Sequence, residues 1–97
     1  MPLNKEAIAA ACRKYGARYL DLFGSSVTGD FDPDRSDIDA IVEFDASSGL
    51  SRFDAYFGLM EELEAVFGRP VDLVTQRSMR NPYFIRAVDR QRVRVYP

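Results

Sequence analysis

The chain has 97 residues, 46% hydrophobic and 29% charged, ordinary globular proportions that exclude a disordered or membrane class. Thirteen basic residues against fifteen acidic ones leave a formal charge of −2, which argues against sequence-independent binding of a long nucleic acid, where many phosphates must be neutralised. A single cysteine, Cys12, and the lack of any histidine exclude an internal disulfide and a cysteine–histidine zinc site, so a metal would have to sit on oxygen. The length suits one domain over residues 1–97 that buries roughly two thirds of its unfolded surface. No apolar stretch approaches the ~18 residues of a membrane span, and the amino terminus lacks a signal-peptide pattern, so a cytoplasmic protein is expected.

In chain order, NKEAIAAACRKYG from Asn4 reads as a helix: Asn4 can cap it, Ile8, Cys12 and Tyr15 share a face, and Gly16 can end it. Arg18 to Phe23 alternates Tyr19, Asp21 and Phe23 against Leu20 and Leu22, a strand running into Gly24-Ser25-Ser26. Val27 to Ser36, rich in Gly, Asp, Pro and Ser, predicts a short helical turn and a loop. Asp37 to Phe44 is the clearest strand, with Ile38, Ala40, Val42 and Phe44 on a core face and Asp37, Asp39, Ile41 and Glu43 on the other. After a loop from Asp45 to Ser51, Arg52 to Phe67 predicts an amphipathic helix whose core face is Phe53, Tyr56, Phe57, Met60, Leu63 and Val66/Phe67, stopped by Gly68 and Pro70. Val71 to Thr75 is a short strand, Pro82 to Arg90 a helix with proline in its first turn, and Arg92 to Tyr96 a final edge strand. This alternation predicts an α/β (α+β) domain, a small mixed sheet with helices packed on it.

Asp37 and Asp39 lie two apart on a strand, so their carboxylates point the same way and repel unless a cation joins them. Magnesium accepts carboxylate and phosphate oxygens, and two-metal sites serve in-line displacement at phosphorus. An isolated Asp-x-Asp is common at exposed strand ends; the upstream context gives this one its meaning. Gly24 and Ser25 stand where a strand ends and a helical turn begins, a place where free backbone N–H groups face an anion. Gly24 allows close approach of a phosphate, Ser25 adds a hydroxyl, and eleven residues separate Ser25 from Asp37. Elsewhere, Cys12 reads as a small core residue. Arg86, Arg90, Arg92 and Arg94 read as a solvated face, with contact to RNA or an acidic partner as the alternative.

The joint pattern LFGSSVTGDFDPDRSDIDAIVEF resembles the nucleotidyltransferase superfamily that includes the DNA polymerase beta palm, and in particular its minimal nucleotidyltransferases. The resemblance is specific over residues 22 to 44 and weaker over the rest. It implies a polymerase beta palm-like fold, two magnesium ions and ATP as substrate. Gly24, Ser25, Thr28 and Gly29 would be the nucleotide-binding turn, and Asp37, Asp39 and Asp72 the catalytic and metal-ligating residues, with Asp72 also helping to deprotonate the attacking hydroxyl. The familiar turn is Gly-Ser-Arg-Ala-Arg-Gly, whereas Ser26, Val27 and Thr28 follow here, so both arginines are missing. A charge-assisted hydrogen bond is worth about 1.5–3 kcal/mol, so weaker triphosphate binding is expected; Arg35 is a candidate substitute in the loop.

Minimal members of this kind accompany HEPN-type toxins, so the resemblance implies an antitoxin that transfers AMP to a hydroxyl of a HEPN-type toxin. Two alternatives stand beside it. One is a catalytically weak module that neutralises its partner by occlusion. The other is an antibiotic or RNA nucleotidyltransferase, which would need a further domain for its acceptor unless a homo-oligomer supplies it.

Overall fold

The structure, a computed structural model, describes residues 4–24, 37–45 and 49–97. The expected turn residues Ser25, Thr28 and Gly29, the neighbouring Ser26, Val27 and Arg35, and part of the loop after Asp45 lie outside the described residues.

Helix α1 (Lys5–Tyr15) is capped by Asn4, whose side chain accepts the Ala7 N–H, and ends on Gly16. Strand β1 (Ala17–Phe23) runs antiparallel to β2 (Ile38–Phe44). Helix α2 (Arg52–Phe67) starts on Ser51, whose hydroxyl accepts the Asp54 N–H, and ends on Gly68. Strand β3 (Val71–Thr75) pairs parallel with β2. A single 3-10 turn, Gln76–Ser78, leads to α3 (Pro82–Asp89), where Asn81 accepts the N–H groups of Tyr83 and Phe84 and Pro82 fills the first turn. Strand β4 (Val93–Tyr96) returns antiparallel to β1. The sheet order is β3-β2-β1-β4, a mixed sheet with β4 at one edge as expected.

Both faces of the sheet are covered, and that explains the apolar residues on both parities of its central strands. Leu20, Leu22, Ile38, Ala40, Val42, Val71, Leu73 and Val95 meet Ile8, Ala11 and Cys12 of α1 and Leu59 and Leu63 of α2. On the opposite face Phe23 and Ile41 pack with Val88 of α3 and with Met79. Cys12 is fully buried and its thiol is pushed up to about 12, mainly by burial, as befits a core residue.

Two expectations need correction. In α2 Leu63 is buried and Tyr56, Met60, Val66 and Phe67 pack against the core as expected, but the buried stripe is Ala55, Leu59 and Leu63, and Phe53 is 69% and Phe57 42% exposed. The reason lies in α1, because Gly58 lets the Tyr15 ring of α1 approach so closely that a methyl group there would overlap it. That contact turns the small side of α2 inward, and Phe53 and Phe57 stack on each other outside, ring centroids 4.7 Å apart.

The arginine cluster is likewise not simply a solvated face. Asp21 points from β1 into the α3 side of the sheet and is only 3% exposed. The Arg92 Nε donates to its Oδ2 at 2.7 Å, and Arg94, whose guanidinium also lies 4.4 Å from the Tyr19 ring centre, pairs with Oδ1. Arg92 further donates to Asp89 Oδ1 and Gln76 Oε1, each at 2.9 Å. A buried carboxylate stripped of its cation costs about 3–5 kcal/mol. Replacing Arg92 leaves the exposed Arg94 in place, so Arg92→Met is expected to cost about 3 kcal/mol, lowering the melting temperature by roughly 12–24 °C. Thermal unfolding followed by circular dichroism checks this, and a loss under about 4 °C would mean that the clamp contributes little.

Candidate active site

Two ladders on β2 assemble the site. Across the antiparallel ladder Asp39 faces Phe23, the residue before Gly24; across the parallel one it stands in register with Asp72. Adjacent strands lie about 4.8 Å apart, so Asp39 and Asp72 are neighbours projecting from one face. The register is pinned beside them: the Ile38 N–H donates to the Pro70 carbonyl at 2.9 Å, and Glu64 Oε2 accepts the Val71 N–H at 3.0 Å, tying the start of β3 to α2. Asp37 sits just ahead of β2, exposed, with the parity of Asp39.

Gly24 completes the inner wall. Its φ is +71°, and a β-carbon on it would overlap Asp39 Oδ2. In a strand end this close to a carboxylate only glycine fits without displacing the neighbour. Its N–H is not free for an anion, because it donates to Gln91 Oε1 at 2.9 Å. Gly24 therefore serves by close approach, and Gln91 is a residue that the sequence did not bring forward; its signal, the pairing of β4 with β1, emerges only from the fold.

The electrostatics are those of clustered like charges. Among the described residues none of Asp37, Asp39 and Asp72 has an ion pair or a side-chain hydrogen bond. Burial first, then the charges of Asp72 and Asp37, hold the Asp39 carboxyl above the ordinary carboxylate range. Asp72 is exposed between buried Val71 and Leu73, and its charge adds to burial in pushing up the Tyr56 phenol. Like charges gathered without a counter-ion fit a divalent cation. Among the described residues no three acidic, cysteine or histidine side chains close into a ready ligand cage. Magnesium does not need one, since it takes one or two carboxylates and completes its shell with water and substrate phosphate. A cavity of about 610 Å³ lined by Phe53, Phe57, Thr75 and Arg77 opens at the other end of β2 and β3, away from the carboxylates.

The described residues thus form a four-stranded mixed sheet with carboxylates in register on adjoining strands, beside a glycine at a strand end. The chain belongs to the nucleotidyltransferase domain family, whose model matches residues 5–95. It is similar to a Methanocaldococcus jannaschii protein named as a candidate protein adenylyltransferase, with 41% identity over 76 residues, 78% of this chain and 74% of that protein. To the protein adenylyltransferase MntA of Thermococcus cleftensis it is 38% identical over 68 residues, 70% of this chain and 65% of that protein. Among solved structures it is similar to a toxin–antitoxin complex with AMP-PNP, at 28% identity and TM-score 0.71, covering 97% of this chain and 73% of that one. A structure described as a candidate minimal nucleotidyltransferase gives 28% identity and TM-score 0.74 over 92% of this chain and 86% of that one.

A carboxyl whose folded pKa is raised favours the native state while protonated and loses that advantage as pH rises through the folded value. Ionised Asp39 is therefore a cost to the metal-free protein at neutral pH. Asp39→Asn is expected to raise the melting temperature at pH 7.5 by a few degrees, with the gap closing as the pH is lowered and Asp39 takes up its proton. A lowered melting temperature at pH 7.5 would contradict this electrostatic reading.

Proposed function

We propose that this chain transfers AMP from ATP to a hydroxyl of a partner protein, and that it acts as the antitoxin of a HEPN-type toxin. The observation that carries the reading is the pairing of Asp39 with Asp72 across the β2–β3 ladder, in a chain of the nucleotidyltransferase family. Similarity to relatives named as protein adenylyltransferases, and to a toxin–antitoxin structure holding an ATP analogue, supports the donor and the kind of partner.

In this reading Asp37, Asp39 and Asp72 would hold two magnesium ions. Bound there, the ions would supply positive charge to the triphosphate and acidify the acceptor hydroxyl. The chain's residues supply the rest. Gly24, Ser25, Thr28 and Gly29 hold the triphosphate, and Asp72 accepts the proton of the attacking hydroxyl. The new oxygen–phosphorus bond forms at the alpha phosphorus, the bond to the beta phosphate's bridging oxygen breaks, and pyrophosphate leaves in line. With serine, valine and threonine at positions 26 to 28, fewer cations face the triphosphate, so this chain relies on its metal ions more than a turn with two arginines would.

The second reading, neutralisation by occlusion, draws on those same missing arginines. Incubation with alpha-labelled ATP, magnesium and a HEPN-type toxin separates the two. We expect label on the partner, lost by a factor on the order of 10² to 10⁴ in Asp72→Asn, with toxicity restored in Asp37→Asn/Asp39→Asn. No label, with neutralisation surviving the double replacement, favours occlusion and overturns the enzyme reading.

A further inference from the structure

Gln91 lies in the short connection between α3 and β4, and both ends of its side-chain amide are engaged. Oε1 accepts the Gly24 N–H at 2.9 Å, while Nε2 donates to the Ala87 carbonyl at 3.3 Å. The β1–β4 ladder ends with Leu22 opposite Val93. Continuing that antiparallel register by two residues brings Gly24 opposite Gln91, and alternate residues of a strand turn their N–H to the same neighbour. The Gln91 side chain thus extends the ladder one step beyond its last backbone partner.

The connection that presents Gln91 is itself held. The N–H groups of Gln91 and Arg92 both donate to the Val88 carbonyl, at 3.0 and 2.9 Å. Arg92 is clamped by Asp21, Asp89 and Gln76. On its other side Gly24 lies against the Asp39 carboxylate, with no room for a β-carbon between them. The glycine is gripped from β4 and pressed against β2.

We infer that Gln91 is a positioning residue for the candidate nucleotide site: it fixes the Gly24 backbone from the β4 side and so holds it against the Asp39 carboxylate. The Gly24 N–H is engaged by Gln91 Oε1, while the α-carbon of Gly24 faces the Asp39 carboxylate. This positioning role rests on the nucleotide-binding reading above.

Gln91→Met keeps the length and volume of the side chain and removes both hydrogen bonds; Gln91→Glu keeps an acceptor for Gly24. Two readouts are taken on each variant and on the unaltered chain: calorimetric affinity for a non-hydrolysable ATP analogue with magnesium, and exchange of the Gly24 amide by NMR. In Gln91→Met we expect faster Gly24 exchange and a five- to tenfold loss of affinity, the worth of one hydrogen bond, with the melting temperature lowered by several degrees; Gln91→Glu retains the slow exchange. Unchanged affinity or unchanged Gly24 exchange in Gln91→Met, where the unaltered chain binds the analogue, overturns the positioning role alone. Failure of the unaltered chain to bind the analogue overturns the nucleotide-binding reading and this inference with it.

Discussion

Strand β2 lies between an antiparallel and a parallel neighbour, and the candidate site exists only while both ladders keep register. One of them sets Asp39 beside the turn at Gly24, and the other sets it beside Asp72. A slip of one residue in either would exchange the two faces of a strand, sending a carboxylate into the layer formed by α1 and α2 and an apolar side chain to the site. That slip is resisted by the apolar parity itself, since Ile38, Ala40 and Val42 are fully buried under the helices. It is resisted too by the Ile38–Pro70 hydrogen bond and by Glu64 at the start of β3. The core and the chemistry are therefore set by one alternation of side chains.

The α3 face of the sheet holds two acidic environments of opposite kind. Asp21 is buried, and two guanidinium groups neutralise it, so its charge is settled within the protein. Asp39 is half-buried, and its nearest charged influences are two further carboxylates that make its ionised form costly. A carboxylate kept in such company without a cation is a poor device for stability and a good one for capturing a divalent ion. The contrast explains why neutralising Asp39 should strengthen the metal-free fold while unclamping Asp21 should weaken it. The two environments also meet, because Arg92, which settles Asp21, anchors the connection from which Gln91 reaches Gly24.

Much of this was legible in the sequence because it depends on local signals. Asn4 and Gly16 bound α1, Pro82 opens α3, and the parity of residues 38 to 44 separates the core from the carboxylates. Asp72 was expected at the site only through family resemblance, and the fold places it in register with Asp39. What escaped depends on partners distant in sequence. The orientation of α2 turns on Tyr15 meeting Gly58, 43 positions later, and periodicity alone favoured the heavier aromatic stripe. Arg92 and Arg94 looked like surface charge because Asp21, some 70 residues earlier, gave no sign of being buried. Gln91 was invisible for the same reason, as nothing before the β1–β4 pairing connects it to Gly24.

The claim at the centre of the account is that the β2–β3 register delivers Asp72 to the same metal-dependent nucleotide site as Asp39. Calorimetric titration of magnesium with a non-hydrolysable ATP analogue into the unaltered chain and into Asp72→Asn tests it most directly. If the register builds one site, the unaltered chain binds the analogue only with magnesium present, and Asp72→Asn weakens that binding by about tenfold or more, as loss of a charged ligand should. Magnesium-dependent binding of equal strength in both would contradict the account.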